Sequence, residues 1–99
     1  MAGPIYKLFL NRFSGAWYQL SEGERNNHMA KVSGILDKVG AKTIIMCTSA
    51  WSAEQWMIFG VTEFPDIEAV QKSVELFYEI GHYRYVEAET VLGTKYPPD

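Results

Sequence analysis

The sequence predicts one α+β domain in which strands and helices follow the order β-α-β-β-α-β. Four segments have the apolar, aromatic and β-branched character of strands, and two longer segments begin and end at helix signals. The 99 residues suffice for one hydrophobic core, and a hydrophobic share of 47% with 21% charged residues is that of a globular protein. We therefore predict a single domain over residues 1–99.

The first half of the chain predicts a strand, a loop and a helix. The first strand is predicted over 5–13, where apolar and aromatic residues alternate. A loop over 14–20 follows. Ser21 and Glu24 then match the S-x-x-E pattern of a capping box, and the helix that they open is expected to end at Gly40.

The second half predicts three strands and a helix. The helix is expected to begin at Pro65-Asp66 and to end at Gly81, because proline suits the first turn of a helix and glycine commonly follows the last. The other segments are the second strand over 41–49, a hairpin connection over 50–54, the third strand over 55–64, the fourth strand over 82–92 and a proline-ended tail over 93–99. This order is that of ferredoxin-like folds, with a four-stranded antiparallel sheet and two helices on one face.

Both faces of the predicted sheet are apolar. Leu8 and Phe9 point to opposite faces of the first strand, although a sheet with one wet face alternates apolar with polar residues. Because two helices can cover one face only, we expect a second copy of the chain to cover the other. The residues of the third strand expected to face the partner are Met57, Phe59 and Val61.

Residues 5–92 resemble the dimeric α+β barrel superfamily. The resemblance is carried by element order, length, the F-P-D-x-E-A turn at 64–69 and the W-Y-x-L-S-x-x-E-R segment at 17–25. The group includes cofactor-free monooxygenases, haem-degrading monooxygenases, muconolactone isomerases, a polyketide cyclase and small uncharacterised members. The resemblance implies a homodimeric barrel of two sheets, with one pocket per subunit between sheet and helices.

The predicted chain direction gathers the candidate site residues at one rim of the sheet. The loop over 14–20, the start of the first helix, the hairpin tip and the Gly81-His82 turn all lie at this end. We expect His28, His82 and Arg25 to be catalytic. The residues expected to bind substrate there are Asn11, Arg12, Trp17, Trp51, Trp56, Tyr78 and Tyr83.

Arg25 and His28 fall inside the apolar stripe of the first helix, whose centre lies near Val32 when residues are stepped by 100°. Burial of a cation or an imidazole is costly unless it is paired or faces a wet cavity. Three alternatives stay open: both side chains reach water, both line a pocket, or they pair with Glu87 or another strand carboxylate.

Two further positions carry alternatives. Gly60 removes a side chain from the helix-covered face, either to leave room for a pocket or to accommodate a bulky helix residue such as Phe77 or Tyr78. His82 has an ordinary pKa near 6.5, which suits acid–base catalysis, although a loop histidine is more often simply solvated.

Several function classes lack support in the sequence. A net charge of −3 disfavours nucleic acids, and the chain has no glycine-rich phosphate loop and no metal-ligand spacing. One cysteine, Cys47, excludes an internal disulfide and is expected in the core. No apolar run reaches the roughly 20 residues of a membrane span, and the start lacks a signal-peptide core, so we expect a cytoplasmic protein.

The resemblance to the haem-degrading branch is incomplete. In that branch an asparagine at the end of the first strand lines the pocket, and Asn11 resembles it in position. The branch also has its iron ligand, a histidine, inside the second helix, whereas residues 66–80 contain none. We therefore expect no haem and no other bound cofactor.

These features predict a cofactor-independent enzyme of secondary metabolism that acts on a hydrophobic aromatic or polyketide-like metabolite. His28 or His82 would remove a C–H or O–H proton, and Arg25, Arg12 or a tyrosine would stabilise the oxyanion. The outcome would be cyclisation, isomerisation or elimination. One alternative is a cofactor-independent monooxygenase whose substrate carbanion reacts with dioxygen, and another is a dimeric binding or stress-related protein without turnover.

Overall fold

A computed structural model describes residues 3–98 of the chain. It contains a four-stranded sheet, two long helices and two short ones. The elements are β1 (Ile5–Phe13), α1 (Gly15–Tyr18), α2 (Glu22–Lys38), β2 (Lys42–Thr48), β3 (Ile58–Phe64), α3 (Ile67–Glu79), α4 (His82–Tyr85) and β4 (Val86–Gly93). The long elements confirm the predicted ferredoxin-like order.

The sheet has the strand order β2-β3-β1-β4, and all neighbouring strands are antiparallel. Phe9 pairs with Gly60 on one side and with Thr90 on the other, and Leu8 pairs with Val61 and Val91. Residues opposite each other in an antiparallel ladder share a face. The set with Phe9 lies under α2 and α3, and the set with Leu8 forms the opposite, open face of the sheet.

The predicted helix signals are all present. The Ser21 hydroxyl accepts a hydrogen bond from the Glu24 N–H at 3.1 Å, and the Glu24 carboxylate accepts one from the Ser21 N–H at 2.9 Å. Asp66 accepts the N–H of Ala69 at 2.8 Å at the start of α3. Gly40 and Gly81 have φ values of 77° and 69°, the left-handed conformation in which a helix commonly ends.

Three strands are shorter than predicted, and β2 lacks only the first and last of its predicted residues. β3 begins at Ile58 instead of Gln55, and β4 begins at Val86 because residues 82–85 form the single-turn helix α4. A second short helix, α1, lies within the predicted loop over 14–20. The two short helices are joined through Ser14, whose N–H donates to the Tyr85 carbonyl at 2.8 Å and whose hydroxyl donates to the Arg84 carbonyl at 2.6 Å.

Two side-chain positions differ from what was expected. The atoms nearest to the place of a Cβ at Gly60 belong to the Phe9 ring and the Ile45 carbonyl of the neighbouring strands, and not to Phe77 or Tyr78 of α3. Cys47 is only half-buried and pairs with Phe59 on the open face of the sheet, outside the core between sheet and helices. Within residues 3–98, the helices are all too short or too polar to cross a membrane.

Candidate functional site

A cavity of about 130 Å³ lies between the sheet and the two long helices. Its walls are mostly apolar, since the inward side chains of the central strands meet those of α2 and α3 there. The main apolar contributors are Phe9, Phe13, Met29, Val32, Phe64 and Phe77. An apolar cavity of about 150 Å³ holds one benzene molecule, so this volume matches a ligand of a single ring.

Two histidines, 54 positions apart, form a hydrogen-bonded pair at one end of this cavity. Nε2 of His28 lies 2.9 Å from Nδ1 of His82, and the two ring planes are 10° apart with centroids separated by 5.2 Å. His82 lines the cavity, whereas His28 is 6% exposed and lies behind it. Which ring donates depends on the tautomers, because a neutral imidazole has one donor and one acceptor nitrogen.

The surroundings of the pair favour neutral rings. Desolvation, and after it the nearby charges of His28 and Lys7, together lower the pKa of His82 to about 4. The pKa of His28 is also lowered, first by desolvation and then by Lys31. At neutral pH both imidazoles are therefore uncharged, and each has one donor and one acceptor nitrogen.

Aromatic rings fix the orientation of the histidine pair. Tyr85 and Trp17 approach the His28 ring edge to face, with centroids 5.0 and 6.0 Å away. The Phe77 ring packs against His82 at 4.8 Å. These contacts exclude water from one side of the pair and hold both rings in place.

Lys7 is a second polar group on the cavity wall, and the sequence interpretation did not single it out. It lies in the middle of β1 and shares the helix-covered face with Phe9. Its Nζ is 6.0 Å from the centre of the Phe77 ring. Desolvation lowers the pKa of this amine.

The residues that line the cavity carry basic groups but no carboxylate. Arg12 lies at the edge and its guanidinium is paired with Glu87 at 3.0 Å. Lys7 makes no ion pair within the described part of the chain. The electrostatic character of the cavity is therefore positive, with one cation unpaired.

Four of the residues predicted for the site line the cavity: Asn11, Arg12, His82 and Tyr83. Burial and the neighbouring Tyr78 raise the pKa of Tyr83, so its hydroxyl is a hydrogen-bond donor at neutral pH. The catalytic and binding roles of these residues stay predictions.

Arg25 does not reach the cavity. Its guanidinium donates to the carbonyls of Trp17 at 3.3 Å and Tyr18 at 3.1 Å, and it lies over both of their rings. It therefore caps the end of α1. Neither Arg25 nor His28 pairs with Glu87, whose partner is Arg12. His28 is buried, so the alternative in which both side chains reach water is wrong.

The predicted convergence of all three tryptophans is also wrong. Trp17 is buried behind the histidine pair and stacks on Phe13 with centroids 4.6 Å apart. Trp51 is 83% exposed at the hairpin tip. Trp56 holds the Arg12 guanidinium over its ring at 5.4 Å. Tyr78 is 69% exposed and reaches the site only through its contact with Tyr83. A position at the rim does not specify which way a side chain points.

A haem does not fit the site as it is arranged here. Haem iron needs an axial ligand, and His82 is the histidine on the cavity wall. α3 itself contains no histidine, and His82 follows its last residue by three positions. The cavity of about 130 Å³ is of the size that holds one ring, whereas a porphyrin consists of four linked rings.

Comparison with known proteins identifies the fold. No family model and no curated protein sequence matches the chain. A solved protein of unknown function from Rhodopseudomonas palustris is 17% identical with a TM-score of 0.71, covering 99% of this chain and 86% of that one.

Chlorite dismutase from Candidatus Nitrospira defluvii, solved in complex with imidazole, is 12% identical with a TM-score of 0.76, covering 99% of this chain and 42% of that one. A mutant of that enzyme is 12% identical with a TM-score of 0.75, covering 100% of this chain and 43% of that one. This chain thus spans less than half the length of those enzymes. Such low identities show a shared fold, here a ferredoxin-like fold.

Proposed function

We propose that this protein is a cofactor-independent enzyme that removes a proton from a hydrophobic, single-ring substrate bound between the sheet and the helices. The hydrogen bond of 2.9 Å between His28 and His82, at the wall of an apolar cavity, is the observation that carries the proposal. A fold shared with an enzyme, chlorite dismutase, agrees with catalysis but does not specify the reaction.

His82 is the proposed proton acceptor. Its low pKa, about 4, keeps the ring neutral at pH 7 and therefore able to accept a proton. Because Nδ1 is engaged with His28, Nε2 is the atom available to substrate. In the catalytic tautomer the Nδ1–H of His82 donates to Nε2 of His28. That bond strengthens when His82 becomes a cation, so His28 acts as a positioning residue.

Removal of a proton next to a carbonyl group leaves an oxyanion that needs hydrogen-bond donors. The side-chain amide of Asn11 and the hydroxyl of Tyr83 both line the cavity and can supply them. Such hydrogen bonds are stronger next to apolar walls than in water, because the local dielectric constant is lower. Cyclisation, isomerisation and elimination all begin with this step. In an isomerisation the protonated His82 returns the proton to another carbon, in an elimination the leaving group departs with its bonding electrons, and in a cyclisation the carbanion attacks a second carbonyl group of the substrate, whose oxygen takes the proton.

Oxygenation without a cofactor is a second candidate, favoured by the apolar walls of the cavity. A carbanion held in such a site is protected from reprotonation by water and can react with dioxygen instead. Oxygen consumption with a turned-over substrate separates this candidate from the first.

We also propose that the protein is a homodimer in which the open sheet faces pack together. One apolar residue from each strand lies in a row across this face: Ile45, Val61, Leu8 and Val91. Leu8, Ile45 and Val91 are exposed in the single chain. Contiguous apolar surface of this kind marks an interaction site, and an isologous contact is the commonest way to cover it.

Proton abstraction can be tested without the natural substrate. Small aryl ketones such as acetophenone exchange their α-protons with D2O when a base removes them, and nuclear magnetic resonance follows the exchange. We expect the protein to accelerate this exchange. His82→Ala should lower the acceleration by roughly 10²–10⁴-fold, the usual contribution of a general base.

His28→Gln and Trp51→Ala are the informative companions. His28→Gln should lower the rate less than His82→Ala, because it removes a positioning contact and leaves the base. Trp51 is 83% exposed and away from the cavity, so Trp51→Ala should leave the rate unchanged. Exchange that persists undiminished in His82→Ala would overturn the proposal, and binding of the ketones without exchange would favour a binding protein.

A further inference from the structure

We infer that the ligand of this cavity is a single-ring carboxylate and that the ammonium group of Lys7 binds its negative end. The inference rests on the proposed function only in taking the cavity as the substrate site. It assigns a residue that the proton-transfer chemistry does not use.

Lys7 occupies a position where a charge is unusual. It lies in the middle of the central strand β1, with Thr62 and Leu92 opposite on the two neighbouring strands. Strand alternation puts its side chain on the face covered by the helices, where the Phe77 ring lies 6.0 Å from Nζ. A lysine on the opposite face would reach water, whereas this one lines the cavity.

The ammonium group has no counter-charge in the described part of the chain. Within residues 3–98 the ion pairs are Arg12 with Glu87 and Lys72 with Glu75. The cavity lining contains no aspartate or glutamate. A partly buried cation without a partner costs free energy, and a bound carboxylate would recover it through a charge-assisted hydrogen bond.

The size of the cavity limits the rest of the ligand. About 130 Å³ accommodates one ring, and the walls around it are aromatic and aliphatic. The lining also contains polar side chains, among them those of Lys7, Asn11, His82 and Tyr83. A molecule with one apolar ring and one anionic group therefore matches both parts of the site.

An anion at Lys7 would also affect the histidine pair. The positive charge of Lys7 contributes to the lowered pKa of His82. A carboxylate that neutralises this charge would raise the pKa of His82, while desolvation, the largest cause, would still hold it below its ordinary value near 6.5. The bound substrate would thus make His82 a stronger base than it is in the empty protein.

Benzoate and benzyl alcohol are suitable probes, because each carries one ring and a short polar group but only benzoate is charged at pH 7.5. Their dissociation constants can be measured from nuclear magnetic resonance shifts of the amide groups along β1 and α3. We expect benzoate to bind at least about tenfold more tightly than benzyl alcohol, because a hydrogen bond between charged groups adds about that much affinity. Because this measurement involves no turnover, it is independent of the catalytic proposal.

Three variants assign the preference to Lys7. Lys7→Met keeps a side chain of similar length and removes the charge, so it should abolish the preference for benzoate. Lys7→Gln is a second uncharged variant, in case the methionine side chain repacks against the cavity wall, and should have the same effect. Lys72→Met removes an exposed lysine of α3 and should leave the preference intact. Thermal unfolding of each variant verifies the fold.

The outcomes separate the two proposals. Equal binding of the two probes, or a preference that survives in both Lys7 variants, would overturn the anion inference while leaving the cavity as a binding site. Failure of both probes to bind would overturn the inference and the single-ring substrate as well. Loss of the preference in Lys7→Met and Lys7→Gln alone would establish Lys7 as the anion-binding residue.

Discussion

Phe9 on β1 lies directly opposite Gly60 on β3, and its ring covers the place where a side chain at position 60 would begin. A Cβ atom there would lie 2.7 Å from Cζ of Phe9 and would also collide with the carbonyl oxygen of Ile45. Carbon atoms without a bond prefer separations of about 3.5–4.0 Å. The missing side chain at Gly60 therefore lets the Phe9 ring lie flat against the sheet and form part of the cavity wall.

We predict that Gly60→Ala destabilises the protein by about 1–3 kcal/mol, because the added methyl group forces the Phe9 ring or strand β2 to move. Gly34 is the matched control, since it lies in α2 with nothing near its Cβ position. Gly34→Ala should stabilise the protein by about 0.5–1 kcal/mol through helix propensity. Urea unfolding measures both, and equal effects of the two substitutions would contradict the packing argument.

Arg25→Ala should lower the free energy of unfolding by about 1–2 kcal/mol, because it removes two hydrogen bonds from the carbonyls at the end of α1. The binding of benzoate in the cavity should be unchanged, since the guanidinium does not line it. Urea unfolding and the resonance titration test the two halves separately. A variant of unaltered stability that no longer binds benzoate would place Arg25 in the substrate site after all.

The histidine pair predicts a loss of stability in mild acid. The unfolded chain protonates His82 near pH 6.5, whereas the folded chain does so only near its lowered pKa of about 4. Between these values the unfolded state binds more protons, so the free energy of unfolding falls as the pH falls. The protein has its full stability above about pH 6.5. Acidification to about pH 4 lowers the free energy of unfolding by about 1–2 kcal/mol, the amount expected for a partly exposed group.

Urea unfolding from pH 7.5 to pH 4.5 measures this effect, with His82→Gln as the comparison. The titratable side chains that face His82 are His28, Lys7 and Tyr83, and of these only His28 has an ordinary pKa within the window. The variant should show a shallower dependence on pH. Parallel curves for the two proteins would show that His82 is not held neutral by the fold.

Local signals predict the long elements, because their causes lie within a few residues. The capping box at Ser21 and the left-handed glycines at 40 and 81 specify helix ends whatever surrounds them. Helix α4 (His82–Tyr85) shows the limit of this approach. Its tyrosines favour strands by propensity, and contacts with residues distant in sequence hold it helical: Tyr85 packs on the His28 and Trp17 rings, and Ser14 donates hydrogen bonds to two of its carbonyls.

The site was partly accessible from the sequence for the same reason. The helical periodicity of α2 placed His28 on the side facing the sheet, and the chain direction placed His82 at the same end. The sequence therefore predicted that the two residues lie near each other, but it did not predict the hydrogen bond between them. Lys7 was also within reach, because strand alternation places it in phase with Phe9. Trp51 and Trp56 lie in the loop between β2 and β3, where neither helical nor strand periodicity predicts the direction of a side chain.

A charge in the centre of the open sheet face should separate the proposed dimer. Phe59 is 38% exposed and pairs with Leu10 and Cys47 on this face. Phe59→Glu would bury two symmetry-related carboxylates against each other, which is costly without a partner charge. Light scattering should therefore show twice the 11.3 kDa chain mass for the natural protein and a single chain mass, or unfolded material, for the variant. Trp51→Glu, at the exposed hairpin tip, should stay dimeric. A natural protein that is a stable monomer at micromolar concentration would rule out the dimer, and the open face would then need another occupant.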